Sequence, residues 1–285
     1  MPKPEFDLPA PRRVRDDLLK LLGPEPDAAK LAGALRLLAK YRSHLIQWEL
    51  ARSHDAEVRA GPFRGMKFID HSAEGCHVPK MLGCYEHEQQ PYFEAAIASG
   101  YDDIVNVGCA EGYYAVGMAL RMPQARVHAY DIDGNARALC ERIARQNHVA
   151  ERVRIAEAFT PAGFREFAQR RALCLIDIEG GELELLAAAP GDDLAALDFI
   201  VECHDVSAGR ISAPLLARLA PTHHVRLVKH ALPSPQFPPL LENAGHLDQL
   251  LAVWEWRGHP TPWLVAASRS APASAFSRAV AAASS

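Results

Sequence analysis

Asp131, Glu157 and Asp177 fall at or beside the ends of short apolar runs, and all three follow a glycine turn, Ile104-Val-Asn-Val-Gly-Cys-Ala-Glu-Gly-Tyr-Tyr114. Gly108 and Gly112 let the backbone approach a ligand closely, and a helix opening at Tyr113 would present unpaired amides and a partial positive charge. Asp131, nineteen residues beyond Gly112, is placed to accept hydrogen bonds from both hydroxyls of a ribose. Glu157, in Ala156-Glu157-Ala158, is placed to accept the exocyclic amine of an adenine. Singly, each carboxylate reads as a solvated loop residue; in series at successive strand ends they read as a nucleotide-like cofactor site. A dinucleotide fingerprint would put glycine where Ala110 stands, so NAD and FAD are disfavoured.

His204 closes a later apolar run. Its imidazole has the ordinary pKa nearest neutrality, which makes it the leading general-base candidate, with Asp177 beside it. The plainer reading is a strand cap or an orienting group. Asp177, Glu202 and His204 could instead gather a divalent cation that acidifies a bound hydroxyl, unless strand alternation turns Glu202 away. In Asp177-Ile-Glu-Gly-Gly-Glu182 the glycines open a helix, so Glu182 reads as a helix cap, while Glu179 faces either that helix or the site.

Positioning such groups requires a sheet. From about Pro91 strand and helix patterns alternate, the mark of an α/β fold with a mostly parallel sheet covered by helices on both faces. Strands are predicted over Ile104 to Val107, Arg126 to Tyr130, Val153 to Ala156, Leu173 to Ile178, Phe199 to His204 and Val225 to His230. A further pair is predicted over Leu251 to Trp256 and Trp263 to Ala267, and helices open near Tyr113, Gly134, Pro161, Gly181 and Ala213. The boundaries that follow are a helical N-terminal extension (1–60), a linking or substrate segment (61–90), the main domain (91–268) and a mobile Ala- and Ser-rich tail (269–285). Pro2, Pro4, Pro9 and Pro11 predict an extended start, and Val14 to Leu22 a short helix. Leu31, Leu35, Leu38, Tyr41, Leu45 and Trp48 recur at helical spacing from Asp27, and this stripe is expected to be buried, against the main domain or in a homodimer.

Val107-Gly108-Cys109-Ala110-Glu111-Gly112 followed by Asp131 resembles the first two motifs of S-adenosylmethionine-dependent methyltransferases of the Rossmann-like class. Leu175-Ile-Asp-Ile-Glu-Gly-Gly-Glu-Leu-Glu-Leu-Leu186 resembles the Asp-hydrophobic-Glu-Gly-small-Glu signature of the FkbM-type members, and Phe199-Ile-Val-Glu-Cys-His204 is similar to their next strand. The resemblance covers about Tyr85 to Val265 and implies a seven-stranded Rossmann-like methyltransferase fold with a helical N-terminal extension. It implies a cofactor site of Asn106, Gly108, Cys109, Ala110, Glu111, Gly112, Asp131, Ile132, Glu157, Ala158 and Asp177, with Tyr85 and Glu86 folding over the methionine end. The implied reaction is O-methylation of a small molecule, a natural product or sugar-like acceptor, leaving S-adenosylhomocysteine. N-, C- or carboxyl methylation, or a non-catalytic cofactor-binding module, are the alternatives. Asn106 departs from the acid common in methyltransferases, and Asp131-Ile132-Asp133 from the Glu-Pro of FkbM-type members. Trp254-Glu-Trp-Arg257, with His259 and Trp263, either lines the acceptor pocket or packs the core.

Composition bounds these readings. The chain has 285 residues, 49% hydrophobic and 23% charged, with a net charge of -4, so no basic field favours nucleic acid or an anionic membrane. No run approaches the ~20 apolar residues of a membrane span, and no secretory signal opens the chain; a cytoplasmic location is expected. Six scattered cysteines predict reduced thiols. Cys76 and Cys84, near His71, His77 and His87, are an alternative metal set.

Overall fold

The structure, a computed structural model, describes residues 10–53, 56–69, 71–73, 75–206 and 210–282. Seven strands form one sheet: β1 (Asp103–Val107), β2 (Arg126–Tyr130), β3 (Val153–Ala156), β4 (Ala172–Ile176), β5 (Asp198–Glu202), β6 (His223–Val228) and β7 (Trp263–Ser268). Their order is β3-β2-β1-β4-β5-β7-β6, with β7 alone antiparallel to its neighbours. This is the Rossmann-like methyltransferase arrangement expected from the sequence. β1, β4 and β5 are buried along their whole length, which is why they read as near-continuous apolar runs.

Among the described residues thirteen α-helices accompany the sheet. α1 (Pro11–Leu22), α2 (Ala28–Ser53), α3 (Val78–Leu82) and α4 (Gln90–Ser99) precede β1. α5 (Tyr113–Arg121), α6 (Gly134–Gln146) and α7 (Phe164–Phe167) follow β1, β2 and β3 in turn. α8 (Glu182–Ala188) and α9 (Gly191–Ala195) link β4 to β5, and α10 (Ser212–Leu219) links β5 to β6. α11 (Pro239–Glu242) and α12 (His246–Ala252) precede β7, and α13 (Ala275–Ala281) ends the chain. The helix starts predicted near Tyr113, Gly134, Gly181 and Ala213 fall within one residue of observed starts, and Pro161 opens a 3-10 turn that runs into α7. One face of the sheet builds a core with Phe63, Phe93 and Tyr113, the other with Phe164, Phe199 and Leu215.

The structure departs from the sequence expectations at five places. Pro11 opens α1 at the first helical position, where its fixed φ and missing N–H suit a helix; Pro2, Pro4 and Pro9 lie outside the described residues. In α2 the predicted stripe does not pack against the main domain, one of the two partners expected for it; the other, a twin subunit, is not addressed by a single chain. Leu35 is 70% exposed, and Leu31 and Leu38 are also exposed, while Ala34, Ile46 and Leu50 are buried, the last two beside α12. Apolar residues nearly encircle the first half of α2, so periodicity alone could not choose a face. Leu251 to Trp256 is no strand: α12 runs to Ala252, and Trp256 holds φ +62, outside the β region. The tail buries Phe276 and Val280 in α13, whose capping box joins Ser274 and Ser277; an Ala-rich composition hid two large anchors one helical turn apart. The segment assigned as a linker also packs inward: Phe63, Met66 and Phe68 belong to the main core, with Phe63 5.3 Å from the Tyr113 ring. Among the described residues no helix is long and apolar enough to cross a membrane.

Candidate active site

β1 ends at Val107 and the chain turns at once. Gly108 holds φ +78, and a Cβ there would lie 1.6 Å from the carbonyl oxygen of Asp177, so only glycine lets the turn seat against the end of β4. Gly112 holds φ +94 against Cys140. The turn is fixed from β2: the amides of Gly108 and Cys109 donate to the Tyr130 carbonyl at 2.8 and 2.9 Å. Asp131 completes it, accepting the Ala110 amide on Oδ2 and the Asp133 amide on Oδ1, each at 2.8 Å. Beside this turn opens a cavity of about 430 Å³ walled by Gly108, Asp131, Ile132, Glu157, Ala158 and Asp177, with Tyr130, Phe159 and Leu185 adding apolar surface.

A second cavity, about 490 Å³, has Ala110, Tyr85, Glu202, His204, Trp256 and Arg257 on its wall. Asp177 and Glu179 line both cavities. His204 is buried just past β5. Its Nδ1 lies 2.8 Å from Oε1 of Glu182, and its Nε2 lies 3.3 Å from Glu179 Oε2 and 3.8 Å from Asp177 Oδ1. Burial lowers the imidazole's pKa, but the hydrogen bond to Glu182 and the charges of Glu202, Glu182 and Glu179 outweigh that and leave it above the ordinary value. Asp177 moves the same way for a different reason: desolvation, then the like charges of Glu202 and Glu86, push its carboxyl well above the usual range.

Under the second cavity sits a cluster of buried charge. Arg257 meets Glu86 at 2.5 Å and Glu255 at 2.8 Å, and its third ion pair, to Glu202, is shared with Thr261. Glu86 also accepts the Tyr114 hydroxyl, and burial together with the charge of Glu202 raises its pKa to about 8. Lys80, on the same wall, is held by Glu111 at 2.5 Å, whose other oxygen accepts the Ala73 amide at 3.2 Å. The loop carrying Arg257 is tied to α2: Arg36 donates to the carbonyls of Trp256 and Arg257, and Trp256 Nε1 donates to Ser43 at 3.1 Å. Lys40 of α2 lies 5.1 Å over the Trp256 ring.

The structure therefore gathers Gly108, Asp131, Ile132, Glu157, Ala158 and Asp177 on one cavity wall and Ala110, Tyr85 and His204 on the adjoining one. Three expected cofactor contacts have side chains engaged elsewhere, and a fourth, Asn106, is buried away from both cavity walls. Glu111 is turned away to Lys80, Glu86 to Arg257 and Tyr114, and Cys109 packs its thiol against Cys140 inside the core. Asn106 is buried in β1, its amide without a hydrogen-bond partner among the described residues. Glu202 is engaged by Arg257, so the carboxylates that approach His204 closely enough to share a cation are Asp177 and Glu179. No cysteine joins a metal-holding group among the described residues; Cys76 and Cys84 are buried free thiols. Glu182, Lys80, Glu255 and Arg257 were not singled out as site residues from the sequence. Glu182, Glu255 and Arg257 carried a local signal, the first in the Asp177-to-Glu182 signature and the other two in Trp254-Glu-Trp-Arg257, which does reach the cavity wall; Lys80 carried none.

No family model matches the chain. A curated relative, the release factor glutamine methyltransferase of Chlorobaculum tepidum, is 36% identical over 102 residues, which cover 34% of this chain and 31% of the relative. The match thus spans about a third of that protein's length. Among solved structures, an O-methyltransferase from Bacillus cereus in complex with SAH is 10% identical, with a TM-score of 0.43 over 64% of this chain and 81% of its own. A cofactor-bound protein from MTB is 14% identical, with a TM-score of 0.45 over 93% of this chain and all of its own. The fold assignment stands on strand order and direction, independently of both likenesses.

Proposed function

We propose that the protein is an S-adenosylmethionine-dependent methyltransferase of the FkbM type that methylates a hydroxyl of a small molecule in the cytoplasm. The observation that carries this reading is the pair of cavities sharing Asp177 and Glu179, a nucleoside-shaped space beside an acceptor-sized one at the carboxyl ends of the strands. The sequence match to a methyltransferase and the Asp177-to-Glu182 signature support it. Asp131 and Glu157 are the carboxylates for ribose and adenine, and Phe159, Ile132 and Leu185 give the base an apolar wall. When bound, S-adenosylmethionine supplies an electrophilic methyl group on a sulfonium.

The chain's own task is alignment and proton removal. Two rigid strand ends hold donor and acceptor spaces adjacent, the condition for in-line displacement. His204, on the acceptor wall, takes the hydroxyl proton. Of the three Lys and Arg cations on that wall, Arg257 is held by Glu202 and Glu255, Lys80 by Glu111, and Lys40 lies over Trp256, which leaves Asp177 and Glu179 as the wall's carboxylates without a Lys or Arg partner among the described residues and suits a neutral or cationic acceptor over an anionic one. Six unpaired cysteines fit a reducing cytoplasm.

Transfer of labelled methyl from S-adenosylmethionine to a panel of hydroxyl compounds tests the reading. Activity is expected to rise with pH through a midpoint above ordinary imidazole, because the raised pKa keeps His204 protonated to higher pH. His204→Ala is expected to lower kcat by roughly 10²–10⁴-fold while cofactor still binds. Asp177, Glu179 and His204 are also near enough for a divalent cation, and chelation separates the two routes: the base survives it. Full activity of His204→Ala would contradict the assignment.

A further inference from the structure

Resting on that reading, we infer that Glu182 is the positioning residue that makes His204 a base, fixing which ring nitrogen carries the proton and stabilising the imidazolium that forms. Glu182 is the first residue of α8 and is wholly buried. Its Oε1 accepts the amides of Ile178 at 3.1 Å and Gly180 at 3.2 Å, and lies 2.8 Å from His204 Nδ1. The turn between β4 and α8, with Glu179 at φ +54 and Gly180 at φ +113, curls both amides onto this one oxygen. Two donors fix the carboxylate in place, and an ionised carboxylate only accepts, so the imidazole atom facing it must donate. Nδ1 therefore carries the hydrogen, and in the neutral ring Nε2 holds the lone pair on the side of Asp177, Glu179 and the acceptor cavity.

The ionisation of Glu182 agrees with this role. Burial raises its pKa, yet the hydrogen bonds from His204 and from the backbone outweigh burial and leave it below the usual value, so it stays charged at neutral pH. Among the described residues, the other charges facing His204 are Glu202 from β5, 3.9 Å from Nε2, and Asp177 and Glu179 from the β4–α8 turn. In the reaction the acceptor O–H bond breaks with its proton going to Nε2. An oxygen lone pair forms the new O–CH₃ bond, and the C–S pair returns to sulfur, converting sulfonium to thioether. The imidazolium, held against Glu182, later gives its proton to water. Without the Glu182 charge the ring would be a weaker base and free to present either nitrogen.

The test is a nitrogen-15 NMR titration of His204 in protein saturated with S-adenosylhomocysteine. The wild type is expected to show the Nδ1–H tautomer when neutral. Glu182→Gln keeps an oxygen for the Ile178 and Gly180 amides but loses the charge, so its His204 midpoint should fall below that of wild type, with cofactor affinity within about twofold. An unchanged midpoint in a folded Glu182→Gln protein would overturn the inference. If that variant fails to fold, the wild-type tautomer decides alone: Nε2–H in the neutral ring overturns it. Failure of the wild type to bind S-adenosylhomocysteine would instead count against the methyltransferase reading, and the tautomer in unliganded protein still tests Glu182.

Discussion

Gly108 shows how far a single residue carries the site. Its φ of +78 and its contact with the Asp177 carbonyl place the cofactor turn against the strand that also delivers Asp177. Gly108→Ala is expected to cost at least about 1–3 kcal/mol in urea unfolding, the scale of one forced backbone conformation, and to abolish S-adenosylhomocysteine binding. Gly245→Ala is the control. Gly245 sits at φ −61 with nothing within 4 Å of an added Cβ, and its substitution should shift stability by no more than about 0.5 kcal/mol. That Gly108, Asp131, Asp177 and His204 gather around the two cavities was legible because each stands at or beside the end of a predicted strand. The direction of a side chain in a turn was not: Glu111 reads as a cofactor contact from its place in the glycine turn, yet its partner Lys80 lies 31 residues earlier and takes it the other way.

At the scale of elements, α2 links the N-terminal extension to the acceptor pocket. Arg36 holds the loop of Trp256 and Arg257 by its carbonyls, and Lys40 reaches the cavity wall from the next turn. Arg36→Ala is expected to raise the acceptor KM by about tenfold, the order of one charged hydrogen bond, and to leave cofactor affinity unchanged. An equal loss for both ligands in calorimetry and turnover would mean that α2 supports the whole fold and not the acceptor side. The existence of α2 was legible from its spacing, whereas its inward face was not, since leucines and alanines surround its first half. The Arg257 cluster was equally hidden: Glu86 and Glu202 lie 171 and 55 residues from Arg257, and only the sheet brings them together. Strands β1 to β5 were predicted to within two residues; β1, β4 and β5 show why, since burial along their whole length leaves a near-continuous apolar run. Leu251 to Trp256 misled for the same reason, an apolar run shared between a helix end and a left-handed turn.

Across the whole molecule, one sheet sets two cavities of about 430 and 490 Å³ that share Asp177 and Glu179, with residues 58–69 and α13 joined to the core on one sheet face and α2 packed against α12. The central claim is that the first cavity binds S-adenosylmethionine through Asp131. Calorimetric titration of the full chain with S-adenosylhomocysteine, and separately with NAD, tests it most directly. We expect one saturable site for S-adenosylhomocysteine, no comparable binding of NAD, and a loss of about 1.5–3 kcal/mol in Asp131→Ala, the range of a hydrogen bond to a charged group. Equal affinity of wild type and Asp131→Ala, or tighter binding of NAD, would contradict it.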